Sequence, residues 1–393
     1  MVKKQILIYL TILLFLILGT TLVIVYGKGY RFNLDQGKIG VLGTGLLVAT
    51  SSPDGAGIFI NNHLTTATNN TINLAPGDYD VKIAKAGYFP WEKKIKIQKE
   101  VVSKADALLL PTAPKLESIT ESGVGAPVID PSFTKVAFTV SGDSPRKNGI
   151  YILDMTSRPI LTLQSSSTQI ADDTADTFSQ AQLAWSPDAQ QLTATITNQA
   201  KSITTYLLTS SFNQNPKDVT EVLLGIQTTW AQQKQKKEKA QIDGLKPKLK
   251  KTIVEDFNIS SWSDDETKIL YTASASATLP IILDPPLIGT NSTPEERSIT
   301  KGSIYVYDLK EDKNYKIDIQ APLSWFPDSN HLIFVNNRQI QMMDYDGTNK
   351  ITVYAGPFVD SYVFPWPDGS KIVILTNLGN PNIPPNLYTI GLK

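Results

Sequence analysis

The chain has 393 residues, 41% of them apolar, with 24 Gly, 24 Pro and no Cys. That is too long for one ordinary core, and the glycine and proline content suits a turn-rich β protein. Lys plus Arg equals Asp plus Glu at 37 each, which leaves no electrostatic footprint for nucleic acid. Without Cys there is no disulfide, thiolate zinc site, cysteine nucleophile or lipidated N-terminal cysteine, and His63 and His331 alone cannot build a multi-histidine metal site.

Residues 1–28 read as a membrane anchor. Ile6 to Tyr26 carries no charge and is long enough to cross a bilayer as a helix, with Lys3 and Lys4 before it and Lys28 and Arg31 after it. The apolar run continues through Leu22-Val23-Ile24-Val25 without a small-x-small cleavage site, so an uncleaved signal anchor is expected. The short leading segment places the N-terminus inside and the bulk of the chain outside. Residues 29–45 are Gly-rich and read as a stalk.

From residue 46 to 112 alternating apolar strands are separated by turn signals. Leu46 to Thr50, Ile58 to Asn62, Thr71 to Leu74, Tyr79 to Ile83 and Trp91 to Ile97 are the expected strands, with a last one near Ala107 to Leu110. Val81, Ile83, Ile95 and Ile97 alternate with Lys82, Lys94 and Lys96, so one face is buried and one is wet. Pro53-Asp54-Gly55-Ala56, the strand after it, Leu74-Ala75-Pro76-Gly77-Asp78-Tyr79 and Gly87-Tyr88 resemble the PEGA domain, with Asp54 in place of the motif's Glu. The resemblance implies a small extracytoplasmic β-sandwich with no catalytic residues.

Residues 113–393 are organised by a turn that recurs five times: Ile129-Asp130-Pro131-Ser132, Trp185-Ser186-Pro187-Asp188, Trp262-Ser263-Asp264-Asp265, Trp325-Phe326-Pro327-Asp328 and Pro365-Trp366-Pro367-Asp368. Each precedes a period-2 apolar strand, such as Leu332/Phe334 and Ile372/Ile374, which is a hairpin written in sequence. Only the last repeat has Gly after the Asp; Ala189, Glu266 and Ser329 stand there in others, which predicts varying turn geometry. Outer strands then end on acidic turns, as in Gly149 to Asp154, Ser303 to Asp308 and Ile340 to Asp346. The pattern resembles the TolB-type and WD-like β-propeller repeat. It implies a mainly β chain whose second domain has five blades, with six as the alternative. The segment Lys115 to Thr120 is expected to pair with Leu387 to Ile390 and protect the edges.

Two insertions break the spacing. Residues 215–255 read as a helix with Asn215 as N-cap, Pro216 at its first position and a packed stripe of Val219, Leu223, Ile226 and Trp230, ended by Gly244 and Pro247. Its basic part, Lys234 to Lys239, reads as a solvated face balanced by Glu238. Residues 274–302 form a long apolar loop inside a blade, and loops of that length are usually functional or disordered. Ile226, Trp230, Pro280, Ile282, Pro285, Pro286 and Leu287 are therefore the expected partner contacts.

Chemistry is sparse by comparison. Asp344 to Asn349 lacks the closing Glu of a calcium loop, and Asp172, Asp173 and Asp176 read as a solvated loop. Trp185, Trp262, Trp325 and Trp366 could form a carbohydrate platform, but their repeat position favours packing between blades. No Gly-x-Ser-x-Gly elbow occurs. The expectation is a membrane-anchored extracytoplasmic binding or scaffolding protein without turnover. It needs no cofactor or metal, uses residues 6–26 in the membrane and takes a protein or cell-surface glycan partner, with the sandwich as a spacer and the propeller presenting loops. The alternatives are an envelope hydrolase with carboxylates in the propeller channel and a TolB-like accessory subunit of an envelope complex.

Overall fold

The computed structural model describes residues 2–27, 30–35, 38–142, 144–156, 167–198 and 201–392. It divides into two compact units, Met1–Leu110 with Leu283–Glu295, and Pro111–Ile282 with Glu296–Lys393.

The first unit begins with helix α1, Val2–Gly27. Its side chains are described from residue 8 to residue 24, and large apolar ones there, including Leu10, Phe15 and Val23, are exposed. Thr20 and Thr21 donate their hydroxyls to the carbonyls one turn back, at 2.7 Å each, so those polar groups are satisfied within the helix. Among the described residues no helix is long and apolar enough to cross a membrane.

The expected stalk is instead a hairpin of Tyr30–Asp35 with Lys38–Gly43. The alternation of Tyr30, Phe32 and Leu34 against Ile39 and Val41 explains it: period 2 outweighs the glycines.

The rest of the unit is two sheets packed over one core. One has the order His63–Ala67, Gly57–Ile60, Gly77–Ala84, Trp91–Ile97; the other is Asn70–Leu74, Gly45–Ser52, Val102–Leu108, its last pair parallel. Leu47, Ile58, Ile83, Trp91, Ile97 and Leu109 fill the space between them. The final strand starts well before the expected Ala107, because its inward residues are small: Ser103, Ala105 and Ala107 are buried while Lys104 and Asp106 face out. The strand His63–Ala67 has almost no buried side chain and therefore no hydrophobic alternation to read.

Leu283–Glu295 belongs to this unit although it leaves the chain far downstream. The Ser292 hydroxyl accepts the Lys96 N–H at 3.0 Å. Gly289 has a φ of +71°, and a Cβ there would lie 2.6 Å from the Val102 carbonyl, so only glycine fits that approach.

The second unit is a succession of five four-stranded antiparallel sheets, here called blades. Blade 1 is Gly125–Ile129, Lys135–Val140, Gly149–Asp154 and Ser167–Asp172; blade 2 is Gln182–Trp185, Gln191–Thr197, Ile203–Thr209 and Lys217–Asp218. Blade 3 is Phe257–Trp262, Lys268–Ala273, Ile304–Asp308 and Lys313–Ile317; blade 4 is Leu323–Trp325, His331–Asn336, Gln339–Asp344 and Ile351–Tyr354. Blade 5 is Val363–Pro365, Lys371–Thr376 and Asn386–Gly391, and its outermost strand is Leu116–Ser118 from the start of the unit. Leu116 pairs with Ile390 and Ser118 with Tyr388, so the two ends of the unit share one sheet. This is the topology of a β-propeller. Among the described residues no sheet closes on itself.

The strands ending on acidic turns, Gly149–Asp154, Ile304–Asp308 and Gln339–Asp344, are each third in their sheet, with a further strand outside. Those outermost strands are short or largely polar, which hid them in the sequence.

The five turns do not vary. The residue after the fourth repeat position is left-handed in all: Phe133 (φ +57°), Ala189 (+58°), Glu266 (+55°), Ser329 (+59°) and Gly369 (+65°). Their N–H groups bond the carbonyls of Asp130, Ser186, Ser263, Phe326 and Trp366 at 2.8–3.0 Å. Neighbouring carboxylates hold the geometry: Asp188 accepts Gln190 N–H at 3.1 Å, Asp328 accepts Asn330 at 2.9 Å and Asp368 accepts Ser370 at 2.9 Å. The sheets on either side impose one turn, and four non-glycine residues bear a strain of about 1 kcal/mol each.

Blades pack face to face. Ala137, Ile150 and Ile152 of blade 1 meet Leu192, Ala194 and Leu208 of blade 2. Leu270, Val306 and Ile317 of blade 3 meet Leu332, Phe334 and Met343 of blade 4, and blade 5 meets blade 1 through Phe364, Val373, Val136 and Phe138.

Candidate functional site, a cleft beside blades 2 and 3

The seam between blades 2 and 3 departs from this rule. The free face of blade 3, formed by Ile269, Tyr271, Ala273, Tyr305 and Tyr307, packs in one apolar cluster with Leu249 and Ile253 of a helix, and no blade 2 residue joins that cluster among the described residues. The helix, α3, spans Pro247–Asp256 with its proline in the first turn, where a missing N–H costs nothing. Phe257, directly after it, stacks on Tyr271 at 3.5 Å between centroids. Blade 2 turns Thr193, Thr195 and Thr205 toward the same side, and the Thr195 and Thr205 hydroxyls bond each other at 3.1 Å. The face is mixed, since Leu207 and Ile203 share it with the threonines, and its buried Thr193 and Thr205 give it less to gain than an all-apolar face from packing on the tyrosines of blade 3.

Helix α2, Leu223–Asp243, precedes α3. The expected start at Asn215 and Pro216 is displaced because Lys217–Asp218 completes blade 2, pairing with Leu207 and Tyr206. Asp218 then accepts the Thr220 N–H at 2.9 Å and starts a short 3-10 turn before α2. Val219 is buried but lies outside the helix, and α2 itself buries no residue. The predicted packed stripe is therefore corrected: Leu223, Ile226 and Trp230 are only half-buried and Leu224 is exposed. Gly244 is the C-cap of α2, with its N–H on the carbonyls of Ala240 and Ile242.

Between α2, α3 and the turns of blades 1 to 3 lies a cleft of about 1220 Å³. Phe133, Trp185 and Trp262 contribute aromatic surface, and the strand from Phe257 to Trp262 runs along it. The α2 wall presents Gln233, Lys234, Lys237, Glu238 and Gln241. Gln241 donates to the Glu266 carboxylate at 2.8 Å, which ties α2 to the blade 3 turn, and Lys234 pairs with Glu238 at 4.0 Å.

The repeated tryptophans are not equivalent. Trp185 Nε1 donates to the Val128 carbonyl of blade 1 at 3.2 Å, and Trp325 Nε1 to the Ser261 carbonyl of blade 3 at 3.5 Å. Each thus stitches its blade to the one before. Trp325 is buried, while Trp185, Trp262 and Trp366 are half-buried, so packing between blades describes Trp325 best. Trp262 packs one side against the blade 3 and α3 cluster and lines the cleft together with Trp185 of blade 2.

Carboxylates at the repeated turns are occupied. Burial alone would raise the Asp265 pKa, but hydroxyl bonds from Ser263 and Thr267 and the Thr267 N–H hold it at about 2. The Asp188 carboxyl is lowered by the Ser186 hydroxyl and the Gln190 N–H. In blade 4, His331 lies between two carboxylates, Nδ1 at 2.6 Å from Asp328 and Nε2 at 3.3 Å from Asp344. Burial would lower its pKa, yet the two carboxylates outweigh that and raise it to about 10. It is a buried imidazolium that joins two hairpin turns. Asp344 and Asp346 also accept Asn349 and Thr348, and Asp173 accepts Ser179, so both acidic clusters serve their own loops.

The long insertion splits blade 3 between adjacent strands. Its two roots are clamped by buried Asp312. The carboxylate accepts the Ile282 N–H at 2.7 Å and the Tyr307 hydroxyl at 2.5 Å, and Arg297 pairs with it at 3.4 Å. Arg297 also donates to the Pro280 carbonyl at 3.0 Å. Of the expected contact residues, Pro280 and Ile282 thus hold the root, Ile282 within the blade 3 cluster. Pro285, Pro286 and Leu287 are exposed and belong to the first unit. None of the seven lines the cleft. Sequence reasoning missed Phe133, Gln241 and Asn258 as cleft residues; the signal for them is the long gap between the turns at Pro187 and Asp264, which marks the disturbed seam.

Comparison with known proteins agrees with this architecture in its first unit. Residues 44–112 match the family model of the PEGA domain. No curated protein matches the sequence. Among solved structures, one from Agrobacterium tumefaciens assigned as TolB is 14% identical, with 86% of this chain and 79% of that one covered and a TM-score of 0.21. TolB from Acinetobacter baumannii is 13% identical, covering 80% of this chain and 60% of its own, with a TM-score of 0.23. The β-propeller domain of the Trilobed protease from Pyrococcus furiosus is 13% identical, covering 88% and 95%, also with a TM-score of 0.23. Scores this low supply no residue correspondence. The chain carries a PEGA domain, and its propeller stands on its own five-sheet topology.

Proposed function

We propose that this chain is a membrane-anchored, extracytoplasmic binding protein of the cell envelope, and that the cleft beside blades 2 and 3 is its binding seat. The observation that carries the reading is that cleft, a concavity of about 1220 Å³ at a seam where, among the described residues, a helical insertion stands in for blade packing. Aromatic rings with a few polar groups around them are the composition of a recognition site. The PEGA match supports an extracytoplasmic setting. Support for the anchor is in the sequence: the uncharged run Ile6 to Tyr26 extends beyond both ends of the α1 stretch whose side chains are described, and its exposed apolar side chains on all sides suit lipid better than water. Binding without turnover is favoured because three of the lining carboxylates are engaged, Asp188 in its turn, Glu266 with Gln241 and Glu238 with Lys234.

The test is capture of envelope components by the full chain extracted from membranes. Trp262→Ala is expected to lose the captured component while remaining folded; equal capture by both proteins would remove the cleft from the function. Alkaline carbonate washing is expected to leave the chain in the membrane fraction, and its release would refute the anchor.

A further inference from the structure

Resting on the cleft as binding seat, we infer that its ligand is an uncharged glycan chain whose sugar faces stack on Trp262 and Trp185. Three observations point there. The first is the aromatic surface. Trp262 lacks the blade-to-blade hydrogen bond that Trp185 and Trp325 make, and both Trp262 and Trp185 reach the cleft half-buried. The C–H face of a pyranose ring is apolar and flat, and indole is the side chain that matches it best in area.

The second is the polar set beside the rings. Gln233 on α2 and Asn258 and Ser260 on the innermost strand of blade 3 line the same cleft with exposed side chains. Among the described residues their side chains make no hydrogen bond, so their amides and hydroxyl are open to a ligand. Amides donate and accept from adjacent atoms, which is what neighbouring sugar hydroxyls require.

The third is charge. Two lysines, Lys234 and Lys237, face four carboxylates, Asp188, Glu238, Asp264 and Glu266. A net-negative lining repels anionic polymers and anionic lipid head groups, and within it Lys234 is already paired with Glu238. An uncharged chain meets no such penalty. The strand from Phe257 to Trp262 contributes consecutive residues to the lining, which suits an extended ligand.

The experiment titrates the full chain in lipid nanodiscs with cellohexaose, mannohexaose and chitohexaose, following tryptophan fluorescence and heat. At least one is expected to bind saturably. Trp262→Ala should weaken it about tenfold, the loss of one stacked ring. Trp262→Phe should keep most of the affinity, which separates a lost ring from a lost fold, and Trp366→Ala, outside the cleft, should change nothing. Silence with all three sugars, or a response that Trp262→Ala leaves intact, overturns the glycan assignment. If hexalysine or a captured protein binds instead, and Trp262→Ala abolishes it, the cleft reading stands and the glycan falls. If Trp262→Ala alters no binding of any kind, both fall together.

Discussion

The seam between blades 3 and 4 and the seam between blades 2 and 3 start from the same repeat and end differently. At the first, Leu270 and Val306 pack on Leu332 and Phe334, and Trp325 reaches back to the Ser261 carbonyl. At the second, α3 takes the face of blade 3, blade 2 offers threonines, and Trp262 looks into a cleft. In a repeat protein each unit gains its stability from its neighbours. Where an insertion supplies that packing instead, the seam is relieved of it, and its aromatic residues become available to a ligand.

The comparison can be broken most severely at the root of the long insertion. Asp312→Ala leaves the Ile282 N–H, the Tyr307 hydroxyl and Arg297 without their shared acceptor. Removing one member of a buried charged cluster of this kind costs about 3–5 kcal/mol. Urea denaturation of the full chain should show that loss, and hydrogen exchange should show the strands Lys268–Ala273 and Ile304–Asp308 opening first. A change below about 1 kcal/mol would mean that the two roots are held by something else.

Next in size is Leu332→Ala, at the tightly packed seam. Leu332 is fully buried, and its truncation should destabilise the propeller by about 3 kcal/mol. Leu224→Ala on the exposed face of α2 should change stability by less than about 0.5 kcal/mol, since it touches no core. Similar losses at both sites would erase the distinction between seam and insertion.

A smaller effect depends on pH. His331 has its folded pKa raised to about 10, so its contribution is fully present below the ordinary histidine value and is lost as pH rises through about 10. Thermal midpoints should therefore fall from neutral pH toward pH 10 more steeply in the wild type than in His331→Gln. Parallel profiles would contradict a charged imidazole between Asp328 and Asp344.

The smallest effect concerns the turns. Ala189→Gly relieves a left-handed φ of +58° and should stabilise by at most about 1 kcal/mol, the unfolded chain's gain in freedom offsetting part of the relief. Gly369→Ala should do the reverse, since its φ is +65° and a Cβ would sit 3.0 Å from the Phe326 ring. Both are read from urea midpoints at unchanged slope.

These contrasts also show what the sequence discloses. The repeated turns and the strands after them are local signals, so Leu332/Phe334 and Ile372/Ile374 announce their strands directly, and the pairing of Leu116–Ser118 with Asn386–Gly391 follows from the need to cover edges. Turn conformation at Ala189, Glu266 and Ser329 was not legible, because the flanking ladders force a φ that those residues disfavour. Strands such as Lys217–Asp218 are too short and exposed to carry a pattern, and that displaced the predicted start of α2. The cleft was hidden for a different reason. Trp185, Trp262 and Trp325 occupy the same motif, and what separates them is which element lies across the seam. The position of the insertion was visible in the spacing; the face it would cover was not, since α3 buries only Leu249, Thr252 and Ile253.

The central claim is that the cleft-facing tryptophan serves binding where its buried counterpart serves stability. Measuring captured ligand and thermal midpoint side by side for full-length Trp262→Ala and Trp325→Ala tests it most directly. The account predicts that Trp262→Ala loses the ligand at a nearly unchanged midpoint, while Trp325→Ala, about 3 kcal/mol less stable, lowers the midpoint. A Trp262→Ala protein that keeps its ligand and melts early would contradict it.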